Sequence, residues 1–276
     1  MPEPRTPGGK AGLAALLRDP ARALIALDYD GTLSPIVSDP AVAGPHPQAA
    51  ATLARLAGLT GTLAIITGRP AAAALRLGGL ASVPGLIVLG QYGWERWHDG
   101  TLSSPPSPPG VAVVRERLPA LLAEAGAPDG TRIEDKGHAL AVHTRRTAAP
   151  EQTLDRLRSP LTALAADTGL HLEPGRLVLE IRPAGIDKGA ALTGLAEERH
   201  PSAVLFAGDD LGDLPAFAAV RTLRGNGTPG LAVCSASAEA TGLANAADLV
   251  VSGPDGVIAL LQAVAAAIET GARGMP

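Results

Sequence analysis

The chain has 276 residues, of which 46% are apolar, 18% charged and 2% aromatic, with a formal net charge of -4 at pH 7. That balance suits one large or two modest globular domains whose core is built from Ala, Leu and Val. It excludes a cationic footprint for nucleic acid or an anionic membrane, and it excludes aromatic platforms for stacking bases.

The start "MPEPRTPGGK" lacks the apolar core of a signal peptide, and no run reaches the ~18 apolar residues of a membrane span. A cytoplasmic protein with no membrane partner is therefore expected. Short apolar runs bounded by Gly, Asp or Pro predict buried strands at 23–28, 62–67, 86–90, 203–208, 230–234 and 248–252. Ala/Leu segments at helical spacing lie between most of them, at 47–58, 70–80, 187–199 and 254–269. Alternating strands and helices predict an α/β fold with a parallel sheet covered on both faces. Cys234, the one cysteine, falls within a predicted strand, which excludes an internal disulfide and fits a reducing compartment.

The rhythm changes after residue 97. "TLSSPPSPPG" (101–110) reads as a linker, and two helical stretches (111–126 and 150–168) then mix with four strands of alternating polarity. Residues 98–183 are thus expected to form an inserted α+β domain between two halves of the first, 1–97 and 184–276. In "RLVLEIR", Leu177, Leu179 and Ile181 share one face, and Val178, Glu180 and Arg182 the other. In "HALAVHTR", Ala139, Ala141, His143 and Arg145 lie together, leaving room beside polar groups for a hydrophilic ligand.

Ligands of open parallel sheets bind beyond the carboxyl ends of the strands. Four of those ends read Asp28-Tyr29-Asp30-Gly31-Thr32, Thr67-Gly68-Arg69, Gly90-Gln91-Tyr92-Gly93 and Gly208-Asp209-Asp210-Leu211-Gly212-Asp213. If the strands are neighbours, two acid clusters converge, and crowded carboxylates either take up protons or bind a cation. Oxygen ligands without His or Cys favour Mg²⁺. Taken alone, "DYDGTL" is equally a strand end with an Asp-Gly turn. Lys188 changes the balance. With Asp187 as N-cap it stands in the first turn of a helix, where the macrodipole disfavours a cation unless an anion faces it. Thr67 and the Gly68 N–H stand where a strand turns into a helix begun at Pro70, a natural phosphate cradle.

"DYDGTL", "ITGR", "DKG" and "GDDLGD", in that order, resemble the haloacid dehalogenase superfamily of phosphotransferases. The resemblance implies a Rossmann-like core with an inserted cap of the C2 type. It implies Asp28 as nucleophile, Asp30 as acid/base, and Mg²⁺ at Asp28, Asp30, Asp209 and Asp210, with Asp213 in support. It also implies Thr67, Gly68, Arg69 and Lys188 around the phosphate, with Thr67 and Lys188 counted as catalytic. "IEDKGHALAVHTR", "LEIRP" and "GQYGWE" are similar to the trehalose-6-phosphate phosphatase family. That likeness implies sugar contacts at Glu134, Lys136 and Glu180, supported by His143, Arg145 and Arg182 and by Gln91, Tyr92, Gly93 and Glu95. The family pattern usually has His at Tyr92, an aromatic residue at Thr144, and Thr-Asp where this chain has Gly212-Asp213. The expected protein is a monomeric, Mg²⁺-dependent sugar-phosphate phosphatase that uses trehalose 6-phosphate. A phosphatase for a sucrose or glucosylglycerol phosphate, or a phospho-accepting regulatory module, is the alternative.

Overall fold

The structure, a computed structural model, describes residues 1–36, 44–175, 177–236 and 241–273. Arg176, which opens the segment "RLVLEIRP", lies outside the described residues. The first part of the chain forms α1 (Pro7–Arg18), β1 (Leu24–Leu27), α2 (Ala49–Ala57), β2 (Thr62–Ile66), α3 (Ala71–Gly78), β3 (Ile87–Gly90), β4 (Glu95–His98) and β5 (Thr101–Ser103). An inserted part follows with α4 (Pro109–Glu124), β6 (Arg132–Asp135), β7 (Leu140–His143), α5 (Pro150–Asp167), β8 (His171–Gly175) and β9 (Val178–Arg182). The last part is α6 (Lys188–Arg199), β10 (Val204–Gly208), α7 (Leu214–Gly225), β11 (Gly230–Ser235), α8 (Thr241–Ala246), β12 (Leu249–Val251) and α9 (Gly253–Arg273).

These elements fold as two compact units, Met1–Ser104 with Asp187–Pro276, and Pro105–Ile186. The larger unit is one eight-stranded sheet in the order β12-β11-β10-β1-β2-β3-β4-β5, parallel from β12 to β3 and antiparallel in the final hairpin. Its six parallel strands are largely apolar because both faces are covered, whereas β4 and β5 at the edge are polar and partly exposed. Ile25, Leu27, Ile65 and Val233 point into the layer of α1, α2, α3 and α9. Leu24, Ala26, Ile66 and Phe206 point into the layer of α6, α7 and α8. Each of the larger of these side chains, when fully buried, contributes about 1.5–3 kcal/mol relative to exposure. The two phenylalanines of the chain meet edge to face, Phe206 and Phe217 at 6.0 Å.

One boundary read from the sequence needs correction. The hairpin β4–β5 puts Thr101–Ser103 in the large sheet, paired with Arg96–His98, so the insertion begins after this pair and not at residue 98. Among the described residues, Gly253–Ala272 of α9 is long and apolar enough to cross a membrane by length and composition. Its Val257, Leu261, Val264 and Ile268 belong to the core beside α2. Helix α1 lies outside the elements that the sequence predicts. Thr6 caps it by accepting from the Gly9 N–H at 3.0 Å, and Pro7 opens it where a missing N–H is harmless.

The smaller unit is a four-stranded antiparallel sheet in the order β6-β7-β9-β8. Leu140, Val142, Leu179 and Ile181 pack on α4 and α5.

The glycines of α1 are packing residues. A Cβ at Gly12 would lie 2.0 Å from the carbonyl oxygen of Gly230 in β11. Helix propensity alone favours Gly12→Ala by about 1 kcal/mol, whereas overpacking of this contact costs about 1–3 kcal/mol. Urea unfolding is expected to show a net loss of stability for Gly12→Ala; a gain would mean that α1 is not seated on β11.

Candidate active site

The register of the sheet decides which side chains meet. Leu27 lies opposite both Ile65 and Ala207 on its parallel neighbours, so Asp28, Thr67 and Asp209 leave the sheet at one edge, the carboxyl ends of β1, β2 and β10. Asp28, Thr67 and Asp209 are all buried. Lys188 is the first residue of α6, behind Asp187, whose side chain accepts from the Ala190 N–H at 2.8 Å. From there its Nζ lies 2.7 Å from Asp28 Oδ1 and 2.7 Å from Asp213 Oδ1. Asp213 closes a one-turn 3-10 helix, Leu211–Asp213, in a reciprocal capping box with Asp210. Its other oxygen accepts from the N–H groups of Asp209 at 2.9 Å and Asp210 at 3.2 Å.

Charge dominates this cluster. Burial pushes the Asp28 carboxyl well up, reinforced by Asp213 and Asp209 and opposed by Lys188. Burial pulls Lys188 down, but Asp213, Asp28 and Asp210 outweigh it and hold the ammonium well above its ordinary range. Burial, then Asp210 and Asp213, push Asp209 up to about 7. Asp210 is also raised, by burial and then Asp213. One ammonium thus faces three buried carboxylates, and protons or a second cation must make up the difference.

Among the described residues, Asp28, Asp209 and Asp213 form a cluster that could hold a metal, each offering an oxygen within 4.8 Å of the others. An all-oxygen, buried donor set fits Mg²⁺. The tightness has a visible cause at Gly31, which has φ +72° and where a Cβ would lie 1.9 Å from Asp209 Oδ2. Of the expected metal residues, Asp210 is exposed, while Asp213, expected in support, joins the buried group.

Asp30 is bound by Arg69, whose Nε and Nη2 donate to Oδ2 and Oδ1 at 2.6 Å each. Arg69, expected beside the phosphate, therefore commits its fork to Asp30, and its guanidinium stands 5.4 Å over the Tyr29 ring. Burial pushes the Tyr29 hydroxyl up to about 12. The Thr67 Oγ1 accepts from the Arg69 N–H at 3.1 Å.

The segment after β3 is sewn to this loop. Gln91 N–H donates to Arg69 O at 2.8 Å and Tyr92 N–H to Thr67 O at 2.9 Å. Gln91 and Tyr92 both adopt left-handed backbone, φ 50° and 60°, a cost that persists only where surroundings impose it. Gly68 leaves room for the Tyr92 ring, since a Cβ there would lie 2.8 Å from it. Gly93 has φ 98°. Glu95, expected at the sugar, spends both oxygens on the Gln91 amide and the Ala71 N–H at 2.8 Å each, where it tethers the start of α3.

In the smaller unit, Glu134, Ala141, Glu180 and Glu173 align across β6, β7, β9 and β8. This polar face pairs His143 with Glu134 at 2.8 Å, Lys136 with Glu180, and Arg182 with Glu173 at 3.1 Å. Arg145 is exposed beyond the end of β7. One contact was not legible in the sequence. Ser235, inside the apolar strand β11, donates to Gly31 O at 2.6 Å and fixes the turn after Asp30; a serine in a strand carries no signal of that role.

The sequence model of the trehalose-phosphatase family matches residues 26–251. The chain belongs to that family. It is 34% identical over 222 residues to a trehalose-phosphate phosphatase of Mycobacterium avium, covering 78% of this chain and 54% of that protein. It thus spans about half the length of this mycobacterial relative. It is 34% identical over 224 residues to a probable trehalose-phosphate phosphatase of Sinorhizobium fredii, covering 79% and 81%. An Aspergillus fumigatus trehalose-6-phosphate phosphatase superposes with a TM-score of 0.71 at 26% identity, covering 96% of this chain and 99% of that one.

The raised carboxyl of Asp209 has a consequence for stability. Folded, it keeps its proton up to about 7, whereas an unfolded aspartate loses it near ~3.9. Its contribution to folding is therefore complete below about pH 4 and lost as the pH rises through 7. In chelated, metal-free protein, Asp209→Asn should gain stability relative to the parent between about pH 4 and pH 8, as read by urea unfolding. A constant difference across that range would contradict the assignment.

Proposed function

We propose that the chain is an Mg²⁺-dependent phosphatase that releases trehalose and phosphate from trehalose 6-phosphate. The observation that carries this reading is Lys188, buried at a helix start with Asp28 on one side and Asp213 on the other, in a member of the trehalose-phosphatase family. A cation fixed there holds an anionic group against Asp28.

In this reading an Asp28 oxygen attacks phosphorus, forming an aspartyl phosphate as the bond to the sugar oxygen breaks. Asp30 gives its proton to the departing sugar oxygen, then takes one from the water that attacks the aspartyl phosphate. That second attack frees Asp28 and inorganic phosphate. Thr67, the Gly68 N–H and Lys188 hold the phosphoryl oxygens. Asp28, Asp209 and Asp213, with the Asp30 carbonyl, would hold Mg²⁺, which supplies neutralising charge so that one anion can approach another.

The inserted unit acts as the cap that supplies the sugar contacts Glu134, Lys136 and Glu180, with His143, Arg145 and Arg182 beside them. What supports this is a polar face of paired charges interleaved with the small, buried Ala139 and Ala141, a surface suited to hydroxyl groups. Gln91, Tyr92 and Gly93 contribute from the left-handed turn, while Glu95 acts by tethering it. The enzyme works as a cytoplasmic monomer on a small-molecule sugar phosphate, and the buried thiol of Cys234 fits a reducing compartment.

Phosphate release from a panel of sugar phosphates tests the reading. Trehalose 6-phosphate should exceed sucrose 6-phosphate and glucose 6-phosphate by about 100-fold in kcat/KM, and a chelator should abolish turnover until Mg²⁺ is restored. Equal rates across the panel would contradict the sugar assignment, and stable phosphorylation by acetyl phosphate without turnover would favour a regulatory module.

A further inference from the structure

We infer that Arg69 is the positioning residue of Asp30. Its guanidinium fork fixes the plane of the carboxyl that exchanges protons with the leaving oxygen and with water. The inference rests on the acid/base role given to Asp30 above.

The geometry is a parallel pair of short hydrogen bonds, Arg69 Nε to Asp30 Oδ2 and Nη2 to Oδ1, both 2.6 Å. A single bond leaves a carboxyl free to rotate about its last torsion, whereas a bidentate pair fixes both the direction and the plane. The two partners differ in what holds them. The Asp30 side chain is 43% exposed, on a turn, while that of Arg69 is 14% exposed. Arg69 is mounted from three sides. Its cation rests on the fully buried Tyr29 ring, its N–H donates to Thr67 Oγ1, and its carbonyl accepts from Gln91 N–H. An exposed acid is thus clamped by a buried frame that also contains the phosphate-holding Thr67.

The clamp is compatible with proton exchange. An ionised carboxylate offers about four lone-pair sites, and the fork occupies two, so each Asp30 oxygen keeps one for the sugar oxygen or for water. In this role Arg69 touches neither substrate nor reacting atoms. Lysine cannot replace it, because an ammonium is a point charge with no planar fork.

The test compares kcat/KM for trehalose 6-phosphate and p-nitrophenyl phosphate in the holoenzyme, Arg69→Ala, Arg69→Lys, Asp30→Asn and the double variant Asp30→Asn/Arg69→Ala. The sugar needs a proton to leave, and p-nitrophenolate does not. Arg69→Ala is expected to lose about 100-fold on the sugar phosphate, the scale of general acid–base catalysis, and under about 10-fold on the activated ester. Arg69→Lys keeps a cation over Tyr29 and should fold, yet show the same selective loss. In the Asp30→Asn background, removing Arg69 should cost under about 3-fold more, because the arginine acts through the acid. Equal losses on both substrates, or the full loss repeated in that background, would overturn the role of Arg69 while leaving Asp30 as acid/base. If Asp30→Asn itself affected both substrates alike, the reading of Asp30 would fall, and the role of Arg69 with it.

Discussion

The ion pairs of Lys188 with Asp28 and Asp213 are the constraint on which the rest of the site depends. A buried ammonium flanked by two carboxylates is tolerable only because each charge has a partner; removing one partner of such a group typically costs about 3–5 kcal/mol. The arrangement couples three distant parts of the chain, the end of β1, the start of α6 and the turn after β10. Asp213 fixes that turn from inside, with one oxygen on Lys188 and the other on two backbone N–H groups. Asp28 is thereby held beside a cation.

The same crowding leaves the cluster rich in negative charge. Asp28, Asp209 and Asp213 offer oxygens to one point, and burial first, then the neighbouring carboxylates, raise Asp28 and Asp209. Stability and function pull in opposite directions here. Protonation relieves the repulsion but removes the ligand, while a hard divalent ion relieves it and keeps the carboxylates ionised. Gly31 and Ser235 show how closely the backbone has been fitted around this compromise, one by admitting Asp209 and the other by tying down the turn.

Much of this was legible in the sequence because burial on both faces of a parallel sheet leaves a simple mark, a short run of Val, Ile, Leu and Ala ending in Asp or Gly. The runs ending at Asp28, Thr67 and Asp209 were visible for that reason, and the strand order then brings their ends together. The parts that were not legible depend on contacts between distant residues. Helix α1 has no counterpart among the predicted elements, and its Gly12 is there because the helix lies on the backbone of β11. Asp213 is buried beside Asp28 and Asp209 while Asp210 is exposed, a difference made by a 3-10 turn that residue spacing does not encode. Arg69 and Glu95 are the residue types expected beside a sugar phosphate, but what they touch, Asp30 and the start of α3, follows only from the strand order that sets β2 beside β1 and carries β4 on the far side of β3.

The central claim is that Lys188 and its partners prepare Asp28 to take up a phosphoryl group. Single-turnover reaction with trehalose 6-phosphate, acid quenching and peptide mapping by mass spectrometry test it directly. The account predicts a transient phosphoryl group on the peptide containing Asp28, carried by that residue and absent from Asp28→Asn. A phosphoryl group on any other residue, or full turnover by Asp28→Asn, would contradict it.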